Sequence, residues 1–88
     1  MNWKVEVKPT AEKYLLRLNT GTRKRIIKTL RELEGFDPPW FHPHVRPLTG
    51  KLEGSYRLRV GGWRCLFILE NAKRLINIYA ILPRGDAY

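Results

Sequence analysis

Apolar and polar residues alternate at both ends of the chain, and between those ends apolar residues recur at helical spacing. The first alternating stretch, Trp3-Lys4-Val5-Glu6-Val7, predicts a half-buried strand. The second begins near residue 55, and it predicts three strands at 55–60, 63–70 and 74–82. Glycines at 61 and 62 predict a two-residue hairpin turn between the first two of these strands.

Two helices are predicted between the alternating stretches. Pro9 suits the first turn of a helix, and apolar residues at helical spacing continue to Leu18. The run Asn19-Thr20-Gly21 breaks that helix, and a second helix is predicted from about residue 22 to 34. The apolar stripe of the second helix is Ile26, Ile27, Leu30 and Leu33. Residues 36–47, rich in proline and aromatic side chains, predict a loop.

This order predicts an α+β fold with an N-terminal strand, a two-helix hairpin and a three-stranded antiparallel meander. The helices are expected to pack on one face of the sheet and to leave the other face for function. A chain of 88 residues is long enough for one domain, so we expect residues 1–88 to form a single domain.

The charge balance changes the picture, because 17 Lys and Arg face 8 Asp and Glu, a net charge of +9. The cations are spread along the chain, which suggests a charged face rather than a basic tail. Such an excess favours a polyanionic partner such as nucleic acid. A soluble basic protein without such a partner is the alternative.

Other chemistry is sparse. Cys65 is the one cysteine and lies in an apolar run, which predicts a buried, inert thiol in a reducing compartment. His42 and His44 have no cysteine at metal-ligand spacing, so no metal or cofactor is predicted. The sequence shows no apolar signal region and no run long enough to span a membrane. We therefore expect a cytoplasmic protein with no membrane partner.

The glycine turn makes cross-strand pairing predictable, with Val60 opposite Trp63 and Arg59 opposite Arg64. One face of this hairpin is apolar: Tyr56, Leu58, Val60, Trp63, Cys65 and Phe67. The other face carries the arginines: Arg57, Arg59 and Arg64. Like charges directly opposite each other, with Cβ atoms about 5 Å apart, are destabilising, and an anionic ligand would relieve the repulsion. A solvated strand face with splayed guanidinium groups is the alternative.

The last strand is predicted to extend the arginine cluster. A three-residue turn at 71–73 would set Ala80 opposite Arg64 and bring Arg84 to the same side through Leu82. The same register sets Phe67 against Asn77 on the buried face, for which the pattern offers no reason.

Arginine can hold a phosphate and stabilise the charge of a phosphorane, but it keeps its proton too tightly to be an ordinary general base. Tyr88 is the candidate for proton transfer, because nearby guanidinium groups would acidify its phenol. Its α-carboxylate is a less favoured alternative, and a terminal residue with no role is another.

These residues resemble the RelE/ParE superfamily of bacterial and archaeal toxins. The segment from Lys51 to Arg64 is similar to the family pattern K-L-x-G…Y-R-L-R-x-G-x-Y-R, with Trp63 in place of the usual tyrosine. Arg84 and Tyr88 resemble the R-x-x-x-Y ending of archaeal-type RelE proteins. The length and the order of the predicted elements also match.

The resemblance implies a ribosome-dependent messenger RNA endonuclease, in which a 2′-hydroxyl attacks the adjacent phosphate in the ribosomal A site. It implies transition-state roles for Arg64 and Arg84, and a general-base role for Tyr88. Arg57 and Arg59 stand where many members carry basic phosphate-binding or proton-transfer residues. Some members have lysine there, so an acid step that depends on lysine is in question. A small, acidic or amphipathic RelB-like antitoxin is the implied partner, beside the ribosome and messenger RNA.

Two other functions remain open: a ParE-like, non-catalytic inhibitor of DNA gyrase, and an RNA-binding module without cleavage. The joint presence of Arg64, Arg84 and Tyr88 favours the RelE activity. Further RNA contacts are expected from basic residues outside the hairpin: Lys51, Arg23, Lys24 and Lys28. A merely solvated basic helix face is the alternative for the last three. Trp40 and Phe41 are expected to cap the helical layer, or alternatively to stack on RNA bases.

Overall fold

The structure is a computed structural model that describes residues 2–83. Its strands are β1 (Lys4–Val7), β2 (Val45–Pro47), β3 (Tyr56–Val60), β4 (Trp63–Glu70) and β5 (Leu75–Pro83). Its helices are α1 (Pro9–Arg17) and α2 (Thr20–Leu33), with short 3-10 turns at Pro39–Phe41, Gly50–Leu52 and Asn71–Lys73. The strands form one sheet in the order β1-β5-β4-β3-β2, in which only the β1–β5 pair is parallel. The predicted α+β class is confirmed.

Strand β2 lies in the segment that the sequence predicted to be a loop. It has three residues, which is too few for alternation to be recognised, and it pairs antiparallel with β3. The His44 carbonyl accepts a hydrogen bond from the Arg59 N–H of β3, and the Leu48 N–H donates to the carbonyl of Ser55, just before β3. In this alternating pattern the backbone groups of Val45 and Pro47 point away from β3. Val45 N–H donates to the His42 carbonyl at 3.1 Å, and Pro47 has no N–H. The outer edge of the sheet therefore offers few donors to another strand.

Helix α2 begins two residues earlier than predicted. The Asn19 side chain accepts a hydrogen bond from the Thr22 N–H at 2.9 Å, so Asn19 is the N-cap. The run that was expected only to end α1 therefore also starts α2. Helix α1 begins at Pro9 as predicted.

Both helices cover one face of the sheet, as predicted. Their buried residues, among them Leu15, Ile26 and Leu30, form a single cluster with the apolar face of the β3–β4 hairpin. The strand residues of this cluster include Val45, Leu58, Val60, Cys65, Phe67, Ile76, Ile78 and Ile81. Within residues 2–83, no helix is long and apolar enough to cross a membrane.

The predicted register of β5 is wrong. The connection from β4 has four residues, because Glu70 pairs with Leu75, and a bulge between Leu66 and Phe67 shifts the pairing once more. Phe67 consequently lies opposite Ile78, not Asn77. The extra residue of the bulge reverses the alternation. Ile76 and Ile78 therefore face the core, whereas the register predicted from the sequence placed them on the same side as the arginines.

Beyond the bulge, Ala80 lies opposite Leu66, and Leu82 rather than Ala80 lies opposite Arg64. Asn77 pairs with Ile68 on the face away from the helices. Its Nδ2 donates to Glu70 Oε2 at 2.7 Å, and its buried Oδ1 has no hydrogen-bond partner among the described residues.

Candidate nucleic-acid interface

Two pairs of arginines lie directly opposite each other on the sheet face away from the helices. Arg59 pairs with Arg64 across β3 and β4, which confirms the predicted hairpin register. Arg46 pairs with Arg57 across β2 and β3. The second pair could not be predicted, because Arg46 lies on the strand that the sequence did not indicate. We call this surface, defined by Arg46, Arg57, Arg59 and Arg64, the arginine face.

Three of the four guanidinium groups on the arginine face, those of Arg46, Arg59 and Arg64, have no carboxylate partner within residues 2–83. Arg64 Nη1 donates to the Trp63 carbonyl at 3.4 Å, and the Arg59 side chain is exposed. An anionic ligand could therefore relieve the repulsion between Arg59 and Arg64.

The floor of the arginine face is firmly packed. Leu66, which lies between Arg57 and Ala80, is 2 % exposed. The hydroxyl of Tyr79, in the bulge of β5, donates to Ser55 Oγ at 2.9 Å and so links β5 to the start of β3 across β4. The backbone of β3 and β4, which carries Arg57, Arg59 and Arg64, is therefore held in place by buried Leu66 and by the hydrogen bond from β5.

Two predicted catalytic residues, Arg84 and Tyr88, lie outside the described residues, and their placement stays a prediction. The last described residue, Pro83, lies opposite Trp63, the neighbour of Arg64.

The remaining predicted RNA-binding residues are dispersed. Lys51 is exposed in the turn between β2 and β3. Lys24 and Lys28 are exposed on α2, which packs on the opposite face of the sheet from the arginine face. Arg23 Nη1 donates to the carbonyls of Leu16 at 3.2 Å and Leu18 at 3.3 Å, so it binds the end of α1. Lys24 and Lys28 therefore lie apart from the arginine face.

A cleft of about 500 Å³ separates α2 from the end of β3. Its walls include Arg25, Thr29 and Glu32 from α2, with His44, Arg59 and Gly61 on the other side. The turn approaches the helix closely, because a Cβ on Gly61 would lie 2.8 Å from Arg25 Nη1. The cleft brings Arg25 of α2 and Arg59 of the arginine face to one opening, together with the carboxylate of Glu32.

His42 and His44, next to this cleft, are hydrogen-bonded to each other. His42 is 5 % exposed, and its Nδ1 accepts a hydrogen bond from the His44 N–H at 3.0 Å. Burial lowers the pKa of His42 below its ordinary value, and the neighbouring His44 lowers it further. No group of three or more potential metal ligands occurs within the described residues.

The Cys65 thiol is buried, as predicted, and burial raises its pKa to about 12. A thiol with so high a pKa stays protonated at neutral pH and is a poor nucleophile.

Trp40 packs on Tyr56, a residue of the sheet face that the helices cover. Its ring stacks on Tyr56 with centroids 5.8 Å apart and planes at 11°, and Tyr56 stacks in turn on Phe67 at 5.5 Å and 20°. Trp40 is nevertheless 44 % exposed, and Phe41 is 68 % exposed.

No family model matches this chain, and no curated protein matches it. Solved structures do share its fold. A chain of the archaeal RelE–RelB complex from Pyrococcus horikoshii OT3 is 27 % identical, with a TM-score of 0.78, over 99 % of this chain and 100 % of that chain. The intact Escherichia coli RelBE toxin–antitoxin complex matches at 18 % identity and a TM-score of 0.69, over 97 % and 99 %. The YoeB–YefM complex from Staphylococcus aureus matches at 18 % and 0.70, over 100 % of both chains.

Proposed function

Starting from the RelE/ParE-like toxin fold of this chain, we propose that the protein is the toxin of a toxin–antitoxin pair and an endoribonuclease. Its proposed substrate is messenger RNA in the ribosomal A site. The single observation that carries the proposal is the arginine face, where Arg59 opposes Arg64 and Arg46 opposes Arg57 on a surface away from the core. A sequence selected for stability alone would avoid such pairs.

An RNA backbone is the ligand that suits this surface. Each phosphodiester carries a negative charge, and a guanidinium group presents planar donors that match phosphate oxygens. The net charge of +9 adds long-range attraction to RNA and to the ribosome. Binding should therefore weaken steeply with salt, with a log–log slope of about −0.7 for each phosphate contacted on a single strand.

In the proposed reaction, a 2′-hydroxyl oxygen attacks the adjacent phosphorus, and the bond from phosphorus to the 5′ oxygen breaks. The products are a 2′,3′-cyclic phosphate and a 5′-hydroxyl end. The 2′-hydroxyl proton passes to a general base, and a proton from an acid or from water reaches the leaving oxygen. Fixed positive charge beside the phosphate stabilises the charge that develops on its non-bridging oxygens.

Arg64 is the described residue to which we assign that stabilisation, because it is half-buried on a firmly packed strand. Arg59 and Arg57 are proposed to hold the flanking phosphates. Arg84 and Tyr88 are proposed as the second stabilising cation and the general base. An arginine side chain has a pKa of about 12 or more and therefore keeps its proton at neutral pH. Arg57 and Arg59 are consequently poor replacements for a lysine that acts as an acid.

The proposed partner is a small antitoxin with an acidic or amphipathic segment that covers the arginine face. The similar chains from Pyrococcus horikoshii and Staphylococcus aureus were solved with RelB and YefM respectively. Co-expression of the protein encoded beside this toxin should relieve growth arrest. Unchanged toxicity on co-expression would count against the pairing.

Cleavage is tested with purified protein and a defined messenger, mapping 3′ ends with and without programmed ribosomes. The proposal expects cuts in the A-site codon only when ribosomes are present. Absence of cleavage together with inhibition of gyrase supercoiling would assign a ParE-like function. RNA binding without cleavage would leave a plain RNA-binding module.

A further inference from the structure

We infer that Trp40 and Arg46 form a nucleotide-binding site at the β2 edge of the sheet, where Trp40 stacks on a base of single-stranded RNA and Arg46 binds its phosphate. The inference rests on the proposed function for the class of ligand, and it does not require that the protein cleave RNA. A cleft of about 330 Å³ marks the site, lined by Trp40, Val45, Arg46, Pro47 and Tyr56.

The stacking surface is anchored in the core. Phe67 is fully buried, Tyr56 stacks on it, and Trp40 stacks on Tyr56 with nearly parallel planes. Trp40 therefore has one ring face held by Tyr56, while 44 % of the residue is exposed. A ring fixed in this way loses little conformational entropy when a base stacks on it, and aromatic stacking tolerates any base.

Arg46 supplies the charge at the same cleft. Its Nη1 donates to the Val45 carbonyl at 3.0 Å and the Pro43 carbonyl at 3.4 Å, which fix the position of the guanidinium group. An arginine has five N–H donors, so others remain for a phosphate. No hydrogen bond from them is found within residues 2–83. A positioned guanidinium beside an aromatic ring matches the phosphate and base of one nucleotide.

Arg46 connects the site to the arginine face, whereas Trp40 lies with Tyr56 on the other face of the sheet. Arg46 lies directly opposite Arg57, and neighbouring strands are about 4.8 Å apart. An RNA strand that contacts Arg57 can therefore reach Arg46 and turn around the short β2 edge towards Trp40. The β2 edge offers few backbone donors, so an added strand of a protein partner is less well matched here than a nucleotide.

The positive charge of the cleft does not by itself distinguish RNA from an acidic peptide. The exposed indole ring of Trp40 does. None of the described residues that line the cleft carries a carboxylate, and this suits either kind of polyanion. The exposed, core-anchored indole is the feature that an acidic peptide would leave unused, whereas every nucleotide carries a planar base.

The test uses the full chain and two fluorescently labelled heptamers. One is 2′-O-methyl oligoadenylate, which cannot be cleaved by 2′-hydroxyl attack, and the other has the same backbone without bases. We expect Trp40→Ala to weaken binding of the first about tenfold, the effect of losing one base stack. The same variant should bind the abasic heptamer as the wild type does, because no base is present to stack.

Matched variants separate stacking from folding. Trp40→Phe should retain most of the affinity, and Trp40→Leu should lose it while keeping an apolar side chain in the cleft. Phe41→Ala, which removes a more exposed neighbouring ring with no ring partner in the described chain, should bind both heptamers normally. Arg46→Gln should reduce the magnitude of the salt slope by about 0.7, whereas Arg17→Gln should not.

Equal losses on both heptamers for Trp40→Ala would overturn the stacking site. So would unchanged RNA binding in Trp40→Ala combined with lost antitoxin binding, which would assign the surface to a protein partner. Because the heptamers are uncleavable, a protein without nuclease activity can still pass this test, and a nuclease can fail it.

Discussion

Gly61 illustrates how a single residue sets the position of the arginine pair. Its φ of 57° lies in the left-handed region, and Gly62 at the next position does not share that φ. This combination is the pattern of a type II′ hairpin turn, which fixes Arg59 opposite Arg64. The residue also leaves room for Arg25 of α2.

Replacement of Gly61 by Ala should lower the free energy of unfolding by about 1–2 kcal/mol, because a Cβ is strained at this φ. Arg25 must also move, since its Nη1 is 2.8 Å from the new Cβ position. Gly62→Ala is the matched control, because a Cβ there has no heavy atom within 4 Å. Urea denaturation measures both variants, and similar losses would contradict the assignment of strain to Gly61.

Asp37 is a second residue whose contacts give a direct prediction. Trp3 Nε1 and Arg74 Nη1 both donate to Asp37 Oδ1 at 2.9 Å, which joins the chain before β1 to the start of β5. The hydrogen bond from Trp3, followed by that from Arg74, holds the pKa of Asp37 below its ordinary value of 3.8. The unfolded chain therefore takes up a proton at this carboxylate at a higher pH than the folded protein does.

The stability that Asp37 contributes should be fully present above pH 3.8 and lost as the pH falls through its lower folded pKa. Asp37→Ala should thus be less stable than the wild type at pH 7, and the difference should shrink on acidification. Urea unfolding at pH 7 and at about pH 2.5 tests this. Glu53→Ala, which removes an exposed carboxylate with no side-chain hydrogen bond within residues 2–83, should show no such convergence.

At the level of elements, local signals were sufficient for the hairpin and insufficient for its neighbours. The glycine turn determines every pair from Val60–Trp63 to Tyr56–Phe67, so the arginine pair of β3 and β4 followed from the sequence. Strand β2 is defined by its pairing with β3 and not by its own pattern, so Arg46 was missed.

The β5 register failed for a related reason. A bulge adds one residue to a strand, and the pattern of apolar residues does not show where. In β5 that residue is Tyr79, whose hydroxyl donates a hydrogen bond to Ser55 in a distant segment. Buried Asn77 opposite Phe67 was the one sign in the sequence that the simple register was wrong. Contacts between remote segments decide such features, and alternation along one strand does not record them.

The N-cap of α2 is the element-level feature that is most easily tested. Asn19→Ala removes the acceptor for the Thr22 N–H and should cost about 1 kcal/mol, within a usual range of about 0.5–2. For a domain of this size, that corresponds to a fall in Tm of about 4–8 °C. Thermal unfolding measures the change, with Asn71→Ala in an exposed turn as the control. If Tm fell equally in Asn19→Ala and Asn71→Ala, the Asn19 cap would contribute nothing measurable to stability.

For the whole molecule, the distribution of charge separates two surfaces. The arginine face lies on one side of the sheet, and the exposed cations of α2, such as Lys24 and Lys28, lie on the helical side. The cleft lined by Arg25 and Arg59 lies between the two surfaces. If the protein works on the ribosome, the helical cations are available to ribosomal RNA while the arginine face holds the messenger. Removal of a helical cation should then weaken docking and spare the chemical step.

We propose that the arginine face acts on the transition state of RNA cleavage and does not serve only as an anchor. The most direct measurement is single-turnover cleavage on programmed ribosomes for the wild type and Arg64→Ala, beside a binding assay for each, with Arg17→Ala as the control. We expect Arg64→Ala to slow cleavage by about 10²–10³-fold and to weaken binding far less, because a transition-state donor acts mainly on the rate. Equal losses in rate and affinity, or a wild-type rate in Arg64→Ala, would contradict it.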